Sequence, residues 1–89
     1  MTTLKIAEEG RNGEVTLGEH GLDRVIKKTF GRDDRQFIPY KSISFVSHDR
    51  KKMGRDIVTL QVGTKTFEWK VIADAEGFVN EVNMRIVGG

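Results

Sequence analysis

Cysteine is absent from this chain. That removes disulfide staples, thiolate metal sites and thiol nucleophiles in one step. Small secreted domains usually carry disulfides, so a reducing cytoplasm is the expected compartment. Proline occurs once, as Pro39, and the only tryptophan and tyrosine are Trp69 and Tyr40. No apolar run approaches the roughly 18 residues that a membrane-spanning helix needs. The opening residues Met1 to Lys5 lack the apolar stretch of a signal peptide. Internal repeats, low-complexity tracts and linkers are missing as well. No nucleophile, base and orienting group fall into a recognisable set, and no glycine loop has phosphate-cradling spacing. An enzyme is therefore not expected, nor a cofactor, a metal or a small-molecule substrate.

What is present suits one folded domain over residues 1–89, with 37% hydrophobic and 31% charged side chains. The net charge of +2 is unevenly spread. Residues 1–26 carry −2, residues 27–71 carry +6 and residues 72–89 carry −2. The middle could present a positive surface to an anionic partner. The plainer reading is a set of solvated strand faces and loops.

Short alternating runs dominate the first 71 residues. Leu4 and Ile6 open a strand, Arg11 to Gly13 reads as a tight turn, and Val15 to Leu17 alternates again. Gly18 to Gly21 reads as a second turn and Leu22 to Ile26 as a third strand. A polar loop over Lys27 to Arg35 follows. Phe37 and Ile38 open the next strand, and Pro39, which has no N–H for a ladder, belongs at an edge, an end or a bulge. Ile43 and Phe45 are expected to share one face, with Ser44 and Ser47 flanking them. His48 to Arg55 reads as a charged loop. Val58, Leu60 and Val62, then Phe67, Trp69 and Val71, carry the clearest period of two and predict an antiparallel hairpin turning at Gly63 to Lys65.

The period then changes. Ala75, Phe78, Val79, Val82 and Ile86 fall on one helical face. Asp74 suits the N-cap, Glu76 the first turn and Arg85 the last. Gly77 weakens such a helix by about 1 kcal/mol against alanine, so its apolar stripe must dock on a sheet. Phe78 and Val82 are the expected plugs of that core.

Several residues invite a functional role. Lys27, Lys28, Arg32 and Arg35 form one basic cluster, interrupted by Asp33 and Asp34. His48 to Arg55 holds a second, without the interleaved aromatics that single-strand nucleic-acid binders use. His20 beside Glu19 and His48 beside Asp49 do not converge on a metal, because neighbours along a strand point to opposite faces. Glycines 10, 13, 18, 21 and 31 read as turn residues. Trp69 is in phase with the core, and Tyr40 is expected half-exposed with its hydroxyl in water.

The order of seven strands and one C-terminal helix, with the run Ile38, Pro39, Tyr40, then Ile43 and Val46, resembles bacterial pleckstrin-homology-like domains. Gly21 and Leu22, the glycine hairpin at Gly63, and Phe78 add to the likeness. The resemblance implies a mainly β (α+β) fold: a barrel of about seven antiparallel strands in two roughly orthogonal sheets, capped by a helix over about residues 74–87. It implies a binding or assembly module. It also suggests that the loops after strands one, three and six share a mouth, bringing Lys65 and Arg11 toward Lys27, Lys28, Arg32 and Arg35 as an anion site. Glutamates 8, 9 and 14 in the first hairpin depart from the basic lipid-binding pattern. The leading expectation is recognition of a protein, a peptide or a neighbouring subunit at an edge strand marked by Ser42, Ser44 and Ser47. The alternative is an anionic membrane or nucleic acid held by the basic loops 27–35 and 50–55.

Overall fold

The computed structural model describes residues 2–28, 30–50, 56–71 and 74–88. Seven strands run in chain order: β1 (Thr2–Glu8), β2 (Arg11–Leu17), β3 (Gly21–Ile26), β4 (Asp34–Pro39), β5 (Ile43–Arg50), β6 (Asp56–Val62) and β7 (Lys65–Val71). A 3-10 turn over Tyr40–Ser42 joins β4 to β5, and helix α1 (Ala75–Gly88) closes the described chain. All strands belong to one antiparallel sheet in the order β4-β3-β2-β1-β7-β6-β5. It consists of two meanders, β1 to β4 and β5 to β7. Among the described residues they are stitched where Ile6 faces Val71 and Ala7 faces Lys70.

The period-two pattern decides which face is buried. Leu4 and Ile6, Val15 and Leu17, Val58 and Leu60, and Phe67, Trp69 and Val71 all point inward. The fully buried large side chains among them each contribute roughly 1.5–3 kcal/mol relative to exposure. Helix α1 lies against β5, β6 and the 3-10 turn, and Ala75, Phe78, Val79 and Val82 are buried there. Phe78 meets Trp69 edge-on at 6.4 Å between ring centres. Asp74 caps the helix: its Oδ1 accepts from the Gly77 N–H at 2.9 Å.

Five local expectations are corrected. The first hairpin does not turn at Asn12 and Gly13. Glu9 and Gly10 form the two-residue loop, both with positive φ, the pair that matches strand twist in a tight hairpin. Gly13 lies instead within β2, where a Cβ would strike the Val25 carbonyl and the Ile26 side chain, and Gly21 within β3 has the same constraint against Ile38 and Pro39. Both glycines permit close strand approach; neither has a positive φ. Ile43 and Phe45 do not share a face: Ile43 is buried while Phe45 is 45% exposed. The register of β5 against β6 shifts between them, and such a bulge reverses side-chain phase, so Val46 points inward instead.

Tyr40 is 6% exposed rather than half-exposed, and its hydroxyl donates to the Gly18 carbonyl at 2.7 Å. Its burial pushes the phenol pKa up. Lastly, His48 to Arg50 extend β5 rather than opening a loop. The rest of that expected loop, residues 51–55, lies outside the described residues.

Candidate functional site

Among the described residues, no strand pairs the outer side of β4 at one end of the sheet or of β5 at the other. Pro39 ends β4, opposite Gly21, where its missing N–H costs little. Ser44 and Ser47 lie exposed in β5 with Phe45 between them. Ser42 does not belong to this strand; it closes the 3-10 turn. The edges carry apolar surface: Phe37 on β4 is 51% exposed and Phe45 on β5 45%.

The five anion-site candidates do not line one shared concavity among the described residues. Lys65 borders a cavity of about 780 Å³ together with Arg11, and its Nζ sits 4.7 Å from the Phe67 ring centre. Lys27 borders a second depression, of about 420 Å³, with Lys5 and Lys70; its N–H donates to the Asn12 carbonyl at 3.0 Å. Lys28, Arg32 and Arg35 are exposed and line neither concavity. Asp34, within the basic segment, is engaged elsewhere. It turns toward Arg24, whose Nη1 donates to its Oδ2 at 3.3 Å.

Arg24 is the residue that the sequence reading passed over. It is 4% exposed and grips Glu8 side-on. Nε donates to Oε1 at 2.9 Å, and Nη2 donates to Oε2. Trp69 Nε1 donates to the same Oε1 at 2.8 Å. The guanidinium carbon lies 5.2 Å from the Phe67 ring centre, within cation–π range. Burial raises the Glu8 carboxyl pKa. The hydrogen bonds from Arg24 and Trp69, with the charges of Arg24 and Lys65, outweigh that and hold it below its usual value. The hydrogen bond to Glu8 raises the Arg24 pKa against the opposing effect of burial.

The signal for this group was in the phase of the strands. Glu8 continues the inward series of Leu4 and Ile6, and Arg24 stands between the inward Leu22 and Ile26. A charge at an inward position needs a partner to be buried, though the strand phase does not say which.

The histidines stand apart from these sites. His20 Nε2 is 4.0 Å from Glu19 Oε2, with both side chains over four-fifths exposed, and His48 lies in β5. Among the described residues, no three histidine, aspartate or glutamate side chains are grouped to hold a metal ion. No helix among them is long and apolar enough to cross a membrane. No protein-family model matches the chain, and no curated protein matches it.

Proposed function

We propose that this chain is a non-catalytic binding or self-assembly module that receives an extended strand along the free edge of β5. The observation that carries the reading is the place of β5 at the end of the sheet, with Ser44, Phe45 and Ser47 exposed along it. An unpaired strand offers a row of backbone donors and acceptors to another chain. The sheet itself suggests a neighbouring copy as the occupant. β4 is free at the opposite end, so β4 of one copy laid along β5 of the next would continue the sheet. Exposed Phe37 and Phe45 then add apolar area to the backbone ladder. A contact between two different surfaces propagates unless rotation closes a ring.

The finer architecture belongs to the same proposal. The chain is a pleckstrin-homology-like domain, of the bacterial and cytoplasmic kind, whose two meanders bend into a barrel of two roughly orthogonal sheets. Two observations support this: among the described residues the meanders share two residue pairs, and α1 packs on β5, β6 and the corner turn. The non-catalytic reading rests on the sequence, which holds no recognisable catalytic set.

Light scattering across a concentration series tests self-assembly. The wild-type mass is expected to rise with concentration, and Phe45→Lys, which places a charge on the edge, is expected to suppress the rise without lowering the melting temperature. A wild-type chain that stays monomeric at high micromolar concentration removes self-assembly and leaves a heterologous peptide or protein as the partner.

A second reading has one observation in its favour. Lys27 joins Lys5 and Lys70 around a depression, which suits a lipid headgroup or nucleic-acid phosphate. Such binding falls steeply as salt rises. Unchanged vesicle and nucleic-acid binding after serine replaces Lys27, Lys28, Arg32 and Arg35 would acquit the loop.

A further inference from the structure

Beyond Ala7 and Lys70 the facing strands β1 and β7 no longer pair. At the next register position a side-chain hydrogen bond, Trp69 to Glu8, takes the place of a backbone ladder. The cavity of about 780 Å³ opens beside this seam, with Arg24, Phe67 and Trp69 among its walls. Arginine has five N–H donors and no acceptor. Three are engaged among the described residues, two by Glu8 and one by Asp34, so each terminal nitrogen keeps one N–H without a protein acceptor. Donors on a guanidinium 4% exposed are costly to leave empty.

The two carboxylates hold Arg24 unequally. The Glu8 side chain is 15% exposed and takes Arg24 side-on. The Asp34 side chain is 48% exposed and makes one contact, at 3.3 Å. Glu8 is therefore part of the fold, whereas Asp34 sits at the rim where an incoming oxyanion would stand. The rest of the rim mixes signs: Glu9 and Glu68 stand with Arg11 and Lys65. A polyanion gains no broad attraction there, while a single negative charge on an otherwise neutral segment does not lose from that mixture.

We propose that the seam between β1 and β7 binds an extended peptide carrying one acidic side chain, whose carboxylate takes the free N–H groups of Arg24 in competition with Asp34. The peptide backbone is served by the edge of β7 from Lys65 to Trp69, which faces no β1 residue in register beyond Glu8, and its side chains by the cavity wall along Lys65 and Thr66. This site is separate from the β5 edge and does not depend on it.

The probe is a terminally blocked peptide of alternating threonine and valine with one central glutamate, compared with its glutamine counterpart and with inorganic phosphate. Binding is followed by the NMR signals of the single indole N–H, Trp69, and of Arg24 Nε–H. The glutamate peptide is expected to move both signals and to bind at least about tenfold more tightly than the glutamine peptide, the worth of one charge-assisted hydrogen bond. Asp34→Asn removes the competing charge and leaves Glu8 in place, so it is expected to tighten glutamate-peptide binding several-fold. Equal affinity for the two peptides, silent Trp69 and Arg24 signals at millimolar peptide, or no gain in Asp34→Asn would each overturn the proposal. So would phosphate moving both signals where the peptide does not, which would make the site a free-oxyanion site.

Discussion

Replacing Glu8 by glutamine keeps the shape of the side chain and removes the charge that Arg24 faces. Truncating one partner of a buried pair typically costs about 3–5 kcal/mol, because the other charge stays buried and uncompensated. Arg24 keeps its single contact to Asp34, so Glu8→Gln is expected to lower stability at neutral pH by less than that, about 2–3 kcal/mol, read by urea unfolding at Trp69 fluorescence. The pH dependence carries a sign. Glu8 has a folded pKa below its ordinary value, so its contribution is present above the unfolded value, about 4.3. It is lost as pH falls through the folded value. The gap between wild type and Glu8→Gln should narrow on going from pH 7 to pH 3; a constant gap would show that the pair does not govern it. Tyr40→Phe tests a neutral contact on the other side of the molecule. It removes the donor to the Gly18 carbonyl and is expected to cost about 1 kcal/mol. Arg24 and Glu8 were legible as inward-facing charges; their pairing was not, because β1 and β3 are neighbours of β2 rather than of each other.

Turns and caps set the limits of the elements. Gly77 is expected from propensity alone to weaken α1, yet a Cβ there would run into the Asp74 carboxylate that caps the helix. Gly77→Ala thus trades a propensity gain of about 1 kcal/mol against disturbing a cap of similar worth. The single change should be nearly neutral, while the same change in an Asp74→Ala background should stabilise by about 1 kcal/mol. Additive effects in that double-mutant cycle would contradict the cap geometry. Gly21→Ala is expected to be strongly destabilising, since the Ile38 carbonyl and Pro39 backbone leave no room for a methyl group. The paired strands β6 and β7 and the stripe of α1 could be read directly, because long unbroken periodicity leaves one choice of face. The β5 bulge and the first turn could not. One extra residue in a ladder leaves no compositional mark, and both Glu9-Gly10 and Asn12-Gly13 offer a glycine for the loop.

At the scale of the whole molecule, the sheet has two ends and a loosely joined middle. The middle, between β1 and β7, is filled by charged and aromatic side chains rather than by a continuous ladder. Among the described residues the ends, β4 and β5, have no strand on their outer sides and carry half-exposed phenylalanines. Pro39 pointed to an edge in the strand that follows it, yet it ends β4; the place of β5 at the opposite end follows from the full strand order. The proposed function requires β5 to be the place where another chain adds. Amide hydrogen exchange, measured at low and at high protein concentration, tests that most directly. The account predicts that concentration slows exchange at β5 amides, and at β4 amides where copies continue the sheet, while β2 and β7 stay unchanged. Concentration-independent exchange at β5, or protection gained on α1 instead, would contradict it.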